Sequence, residues 1–394
     1  MFLFDRERTG RLPFELGQRA FPELVWETTL RQYPVKGPES TAVFDDQGNL
    51  YFGCHDNGIY SLDPSGKIRW QFQTEDKVYS SPMLLNNRIY ICANKSDVLC
   101  LRLDGTLDWV FHGFKQLASL SKMKRVLANV YSYWCYDYEF RKYMKINAWG
   151  SPNQVRKDTI VVNLYGLGVV ALDATSGALK WRRDLGLPYN HLAGVAVSNV
   201  AGQDHIAAVS QSNGIFWLDE QGKIVWRRAL KRGYNSWGNP SIDAADNAIY
   251  CSTSKGNVSA IVYKFSFAGA LLWKHEMAAG IRGSIAVSHT DFVVVPTMRG
   301  ELLFLDKKQG RVQVRKDIAT KDRGLWTSVS MDLHDTLLVN TKASQHSGAM
   351  LRISRSGDVQ WKVEYGKALA VPVLDKEGHI FTATWEGKYL KYKS

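Results

Sequence analysis

Two short stretches of this 394-residue chain combine residue types that could do acid–base or nucleophilic chemistry. His55 and Asp56 follow Cys54 in GCHDNG, and His191 sits in YNHLAG. An imidazole beside a carboxylate can move a proton near neutral pH, and a thiol beside both is a potential nucleophile. A lone histidine on a turn is as readily a solvated one. A second set is better suited to holding than to reacting: Tyr79, Trp149, Tyr165, Trp237, Trp326 and Trp385 offer aromatic faces, and Arg282 and Arg299 offer guanidinium groups. Such a set grips an acidic or aromatic ligand by cation–π and charge-assisted contacts.

Other chemistry is poorly served. The remaining histidines are scattered singly and no Cys-x-x-Cys or HExxH is present, so no metal site is expected. Gly166-Leu-Gly168-Val-Val-Ala171 matches a dinucleotide fingerprint in letters only, because it opens a strand and not a helix.

These residues lie far apart in the chain, so a single site requires an architecture that gathers them. A repeat supplies it. A Gly is followed four residues later by Trp at Gly66/Trp70, Gly105/Trp109, Gly177/Trp181, Gly222/Trp226, Gly269/Trp273 and Gly357/Trp361, with Val314 in the Trp place after Gly310. Leu-Asp usually precedes the Gly, as in ALDATSGALKW at 171–181. Most anchors are 39 to 47 residues apart, and each unit holds four short strand-like runs. That period predicts propeller blades. One blade cannot bury both its faces alone, so each Trp is expected to lie against the next blade. Val314 fills less space, which predicts a weaker junction there.

The chain closes the ring in the same arithmetic. HIFTATWEGKYLKYKS ends on a third strand without a fourth, and ELVWETTL near the start is a fourth strand with Trp26 and no partners. The expectation is an all-β, eight-bladed propeller, a single domain over 1–394, with both termini completing one blade. First strands line the central channel, so the binding residues above collect at one mouth.

One unit is about 30 residues too long: Trp109 to Trp181 spans 72. Leu117, Leu120, Met123, Leu127, Val130 and Trp134 recur at helical spacing, and Tyr136, Phe140 and Tyr143 continue a shorter stripe. Residues 112–148 therefore read as a helical insertion between blades on the mouth face, a lid or docking arm.

ALDATSGALKW resembles the tryptophan-docking motif of the quinoprotein alcohol dehydrogenase-like propellers, the PQQ-like repeat superfamily. The resemblance runs from about Glu23 to Lys393. It implies the fold. The superfamily holds quinone-dependent dehydrogenases and also the non-catalytic lipoprotein scaffold of the β-barrel assembly machine, and fold does not choose between them. The dehydrogenases carry adjacent cysteines and calcium-binding carboxylates. Here no two cysteines are adjacent and the mouth residues are basic, so the resemblance implies the repeat without the quinone, and no cofactor is expected.

Composition bounds the rest. The formal charge of +12 favours acidic partners, but its cations are spread over many blades, including Arg182-Arg183 and Arg227-Arg228, which argues against nucleic acid. No apolar run approaches a membrane span. MFLFDRERTGRLPFELG does not read as a secretory or lipoprotein signal, and five cysteines without framework spacing suit a reducing compartment, so a cytoplasmic setting is expected. The functional expectation is a non-catalytic propeller that binds a protein partner or an acidic or aromatic small molecule through its mouth and insertion. The competing expectation is a cofactor-independent enzyme of cyclase, lyase or hydrolase type, with His55, Asp56 or His191 as acid–base groups.

Overall fold

The computed structural model describes residues 5–17, 19–30, 37–94, 96–118, 150–164, 166–186, 193–210, 214–318, 324–342 and 347–394. Among these, the strands form eight four-stranded antiparallel sheets. Blades one to seven span 43–73, 83–112, 153–183, 196–228, 241–277, 286–317 and 330–365. Blade eight is shared by both ends of the chain. Glu23–Thr29 is its outer strand and pairs with Lys388–Lys393, followed inward by Ile380–Ala383 and Val373–Leu374. The pairing runs from Glu23↔Lys393 to Thr29↔Lys388, so the ring closes as the sequence predicts and the last blade has no open outer partner.

Burial explains the sequence pattern of each blade. Second and third strands are covered on both faces by neighbouring blades, so they read as nearly unbroken apolar runs. TIVVNL and GVVALD in blade three are examples, buried almost throughout. Fourth strands lie at the rim and alternate, as in VQVRKD of blade six. The core is thus a series of clusters between blades. Tyr250 and Val262 of blade five, for instance, pack with Val293, Val295 and Leu303 of blade six.

The repeated tryptophans form the joints. A Cβ placed on Gly177 would lie 2.5 Å from Cε3 of Trp109, and the φ of +70° at this glycine already disfavours any side chain. The same approach brings Trp26 onto Gly66, Trp70 onto Gly105, Trp181 onto Gly222, Trp226 onto Gly269 and Trp273 onto Gly310. Each of these six indoles also donates its N–H to a carbonyl just before the glycine: Pro64, Leu103, Ala174, Glu220, Phe267 and Lys307. A β-bulge beside the Trp sets its aim, as between Ala171 and Leu172. The rim arginines share this work: Arg183 donates to Gly222 O and Arg228 to Gly269 O.

Two junctions differ. At Gly357 the place of the indole is taken jointly by Val314 and the aliphatic stem of Lys316, whose Nζ reaches Asp358 Oδ1 at 2.8 Å. Trp361 faces blade eight, which has no hairpin between its third and fourth strands, and packs instead with Leu12, Leu16, Leu374 and Tyr392. Residues 5–17 bring Leu12 and Leu16 there after crossing the inner edges of blades four to seven.

The inserted segment is described only at its start. Blade two's fourth strand runs to His112, and Gly113–Ala118 follows as a six-residue α-helix. The rest of the stretch expected to be helical, from residue 119 to 148, lies outside the described residues. No helix of the described residues is long and apolar enough to cross a membrane.

Candidate functional site

Propeller geometry puts one residue per blade at the channel mouth, four positions before the first strand. Glu39 precedes Val43, Tyr79 precedes Met83, Trp237 precedes Ser241, Arg282 precedes Ala286, Trp326 precedes Ser330 and Leu369 precedes Val373. All six line one cavity of about 130 Å³. Two positions further along, small polar residues tie the blades together. The Thr41 amide donates to Ser81 Oγ, Ser81 to Ser151 Oγ, Asn239 to Ser284 Oγ and Ser284 to Ser328 Oγ, at 2.8–2.9 Å. This belt satisfies backbone groups that the curved inner edge leaves unpaired, and it fixes where the mouth residues stand.

Charge at the mouth is organised on indole faces. The Arg282 guanidinium lies 4.9 Å from the Trp326 ring centroid and 5.8 Å from that of Trp237, and its Nη2 is 3.6 Å from Glu39 Oε2. Lys342 Nζ is 3.7 Å from the Trp326 centroid. Around the ring, Lys367 Nζ stands 2.8 Å from the centroid of Trp385, and Lys367 itself is buried. Three cations therefore sit on tryptophan faces. Of these only Arg282 lines the cavity, where a carboxylate would meet a charge already held in place, which keeps the ordering cost of binding low.

The acid–base candidates are less well placed. His55 is buried and packs its ring 4.3 Å from Tyr79, with Nε2 4.0 Å from Glu39 Oε1. It stands behind two mouth residues and is not among the residues lining the cavity. Asp56 is buried and accepts a hydrogen bond from the Tyr60 hydroxyl, so it faces its own blade. Burial, with Asp56 beside it, pushes the Cys54 thiol well above its usual range, which leaves it a protonated, weak nucleophile at neutral pH.

Of the binding candidates, Tyr79, Trp237, Arg282 and Trp326 are brought together. Trp385 is half-buried with Lys367 on blade eight, and Arg299 is exposed on its loop; neither lines this cavity. Trp149, Tyr165 and His191 lie outside the described residues. By counting alone, Trp149 stands four residues before its strand and His191 five.

Sequence reasoning missed Glu39, which joins His55 to Arg282. ESTAVF aligns with YSSPML, and that register was the signal available. It also missed the serine belt and Arg8, described below. One further group, Asp375, Glu377 and His379, has metal-ligand residue types within 4.8 Å of one another on the first hairpin of blade eight. Asp375 is there the turn acceptor for the amides of Glu377 and His379, the same role that Asp332 has in blade seven.

Comparison with known proteins agrees with this architecture. The outer membrane protein assembly factor BamB of Yersinia pestis is 20% identical over 371 residues, covering 91% of this chain and 83% of that protein. Among solved structures, BamB from Moraxella catarrhalis superposes with a TM-score of 0.68 at 14% identity, covering 95% of this chain and all of the other. The quinohemoprotein alcohol dehydrogenase ADHIIG from Pseudomonas putida superposes with a TM-score of 0.72 at 13% identity, covering 98% of this chain and 79% of the enzyme. At such identities the structures speak for the fold alone. The sequence model of the PQQ_2 family, described as outer membrane protein assembly factor BamB, matches residues 22–132 and 166–387, and the chain therefore belongs to that family of PQQ-like repeat propellers.

Proposed function

We propose that this protein is a non-catalytic interaction propeller whose channel mouth grips an acidic segment of a protein partner, with the inserted segment at 112–148 as part of the contact surface. The observation that carries the reading is Arg282, set against Trp237 and Trp326 and steadied by Glu39, with Lys342 on the outer indole. The relatives named for outer membrane protein assembly support an assembly role in kind. The test is quantitative capture with cross-linking from the protein's own cells, comparing the wild type with Arg282→Ala/Lys342→Ala. The reading expects one partner, cross-linked through a Glu- or Asp-rich segment, to fall at least tenfold in the variant. Equal recovery from both proteins refutes it.

The enzyme reading has one observation in its favour, the His55–Glu39–Arg282 chain under Tyr79. It requires His55→Ala to abolish turnover of a small acidic substrate while leaving its binding unchanged.

A further inference from the structure

The other end of the channel is not made by the blades. Residues 5–12, DRERTGRL, run around its inside and cap the inner edges of four successive blades. The amides of Val197, Ile242, Val287 and Met331 donate to the carbonyls of Arg6, Glu7, Thr9 and Gly10, at 2.7–2.9 Å. Each donor is the second residue of its first strand, about 15–20 Å beyond the mouth residue at the usual rise per residue. Leu12 N returns the contact to Met331 O, and Ser241 Oγ donates to Arg8 O.

Three arginines key this segment into separate sites. Arg8 has no exposed surface and donates from Nε to Val195 O and from Nη2 to Ser151 O and Pro152 O, at 2.8–3.2 Å. Arg6 pairs with Asp204 at 2.6 Å. Arg11 donates from Nε to Val287 O and reaches Asp243, which also holds Lys307 at 2.7 Å. The segment is bent, not extended: Asp5–Arg8 is a turn, and Arg8 and Gly10 have φ of +59° and +78°, so successive carbonyls meet one amide from each of four blades. Main-chain bonds combined with side chains in separate pockets are the elements of peptide recognition. Ser151 also lines the mouth cavity, so the arginine-filled end supports the floor of the binding end.

We infer that the lower end of the channel is a peptide-binding site for a segment carrying Arg-x-Arg-x-x-Arg and bent at its second arginine, occupied in this structure by the chain's own residues 5–12. The blades supply the receptor and the segment is its ligand, tethered in cis. The inference is independent of what the mouth binds.

The test uses the full chain with a protease site introduced at 18–21, cut after folding. The nicked protein should keep its leader non-covalently, visible by native mass spectrometry, and exchange it for a fluorescent synthetic peptide of residues 1–17. Binding should saturate, the Arg8→Ala peptide should bind at least tenfold more weakly, and uncut protein should take up no peptide. Failure of a folded nicked protein to exchange its leader, or equal affinity for the Arg8→Ala peptide, overturns the inference. A second measurement needs no cut. In full-length Arg8→Ala, the amides of Val197, Ile242, Val287 and Met331 should exchange hydrogen at least tenfold faster as a group, with second-strand amides unchanged. Unchanged exchange at those four positions also overturns it.

Discussion

The two ends of the channel are built on opposite principles. The mouth is periodic: Glu39, Tyr79, Trp237, Arg282, Trp326 and Leu369 hold equivalent places in six of the eight blades, and only their chemistry varies. The lower end is aperiodic. One segment visits four blades in turn, and its contacts with Val197, Ile242, Val287 and Met331 use backbone groups that every blade shares. The repeat can thus offer different side chains to a ligand at one end while relying on one segment to satisfy its inner edges at the other. Variation is tolerated at the mouth because the serine belt, not the mouth residue, carries the inter-blade hydrogen bonds.

Substitutions at the two ends should separate these roles. Arg8→Ala should have the largest effect on stability, about 3–5 kcal/mol by denaturant unfolding, because it leaves a void and removes three buried hydrogen bonds to carbonyls, of which, among the described residues, Val195 O alone keeps a second donor, Asn153 Nδ2. A loss under 1 kcal/mol would show that water replaces the guanidinium and that the two ends do not differ as described. Arg282→Ala should cost only about 1–2 kcal/mol, since its partner Glu39 keeps His55 nearby, yet it should weaken partner binding more than it weakens the fold.

A pH series sharpens the contrast. Burial pushes Asp5 up to about 6, offset in part by hydrogen bonds from Thr9; Glu7 raises it further and Arg11 lowers it. A carboxyl group raised in the folded state stabilises it fully below the unfolded value, about 4, and loses that contribution as pH rises through 6. Burial lowers Arg8 only to about 9, so Arg8 stays charged throughout this window. The segment should therefore hold several-fold more tightly at pH 5 than at pH 7.5, read from exchange at Val197 and Met331 after correction for intrinsic rates. Asp5→Asn should flatten the profile. The smallest effect concerns the junction where Val314 stands in the place of the repeated Trp. Lys316→Ala should cost about 1 kcal/mol by removing the stem that packs on Gly357, whereas Lys362→Ala on the next rim strand should stay within about 0.5 kcal/mol.

Much of this was legible beforehand because a repeat makes positions comparable. The Gly-to-Trp spacing marked the joints, and the unpaired terminal strands marked the closure. The register that placed Tyr79, Trp237, Arg282 and Trp326 at one mouth came from the same source. Reading stopped where the register was not carried far enough, as at Glu39. It also stopped where a residue's role depends on a distant backbone. Nothing in VQVRK says that Lys316 completes the slot left by Val314. The Arg-Arg pairs read only as dispersed charge, yet Arg183 and Arg228 donate to the next blade's glycine carbonyl.

The sequence by itself determined the blade count, the closing strands and the register that sets Tyr79, Trp237, Arg282 and Trp326 around one cavity. Those follow from local strand and turn preferences repeated at a fixed period. Only the tertiary structure decided what lies inside the ring. DRERTGR reads as a solvated, charged stretch, since three arginines in a row of polar residues have no local reason to be buried. They are held because the inner edges of blades four to seven present amides and carbonyls that a chain bent at Arg8 and Gly10 meets in turn. That complementarity exists only once the inner edges of blades three to seven stand side by side.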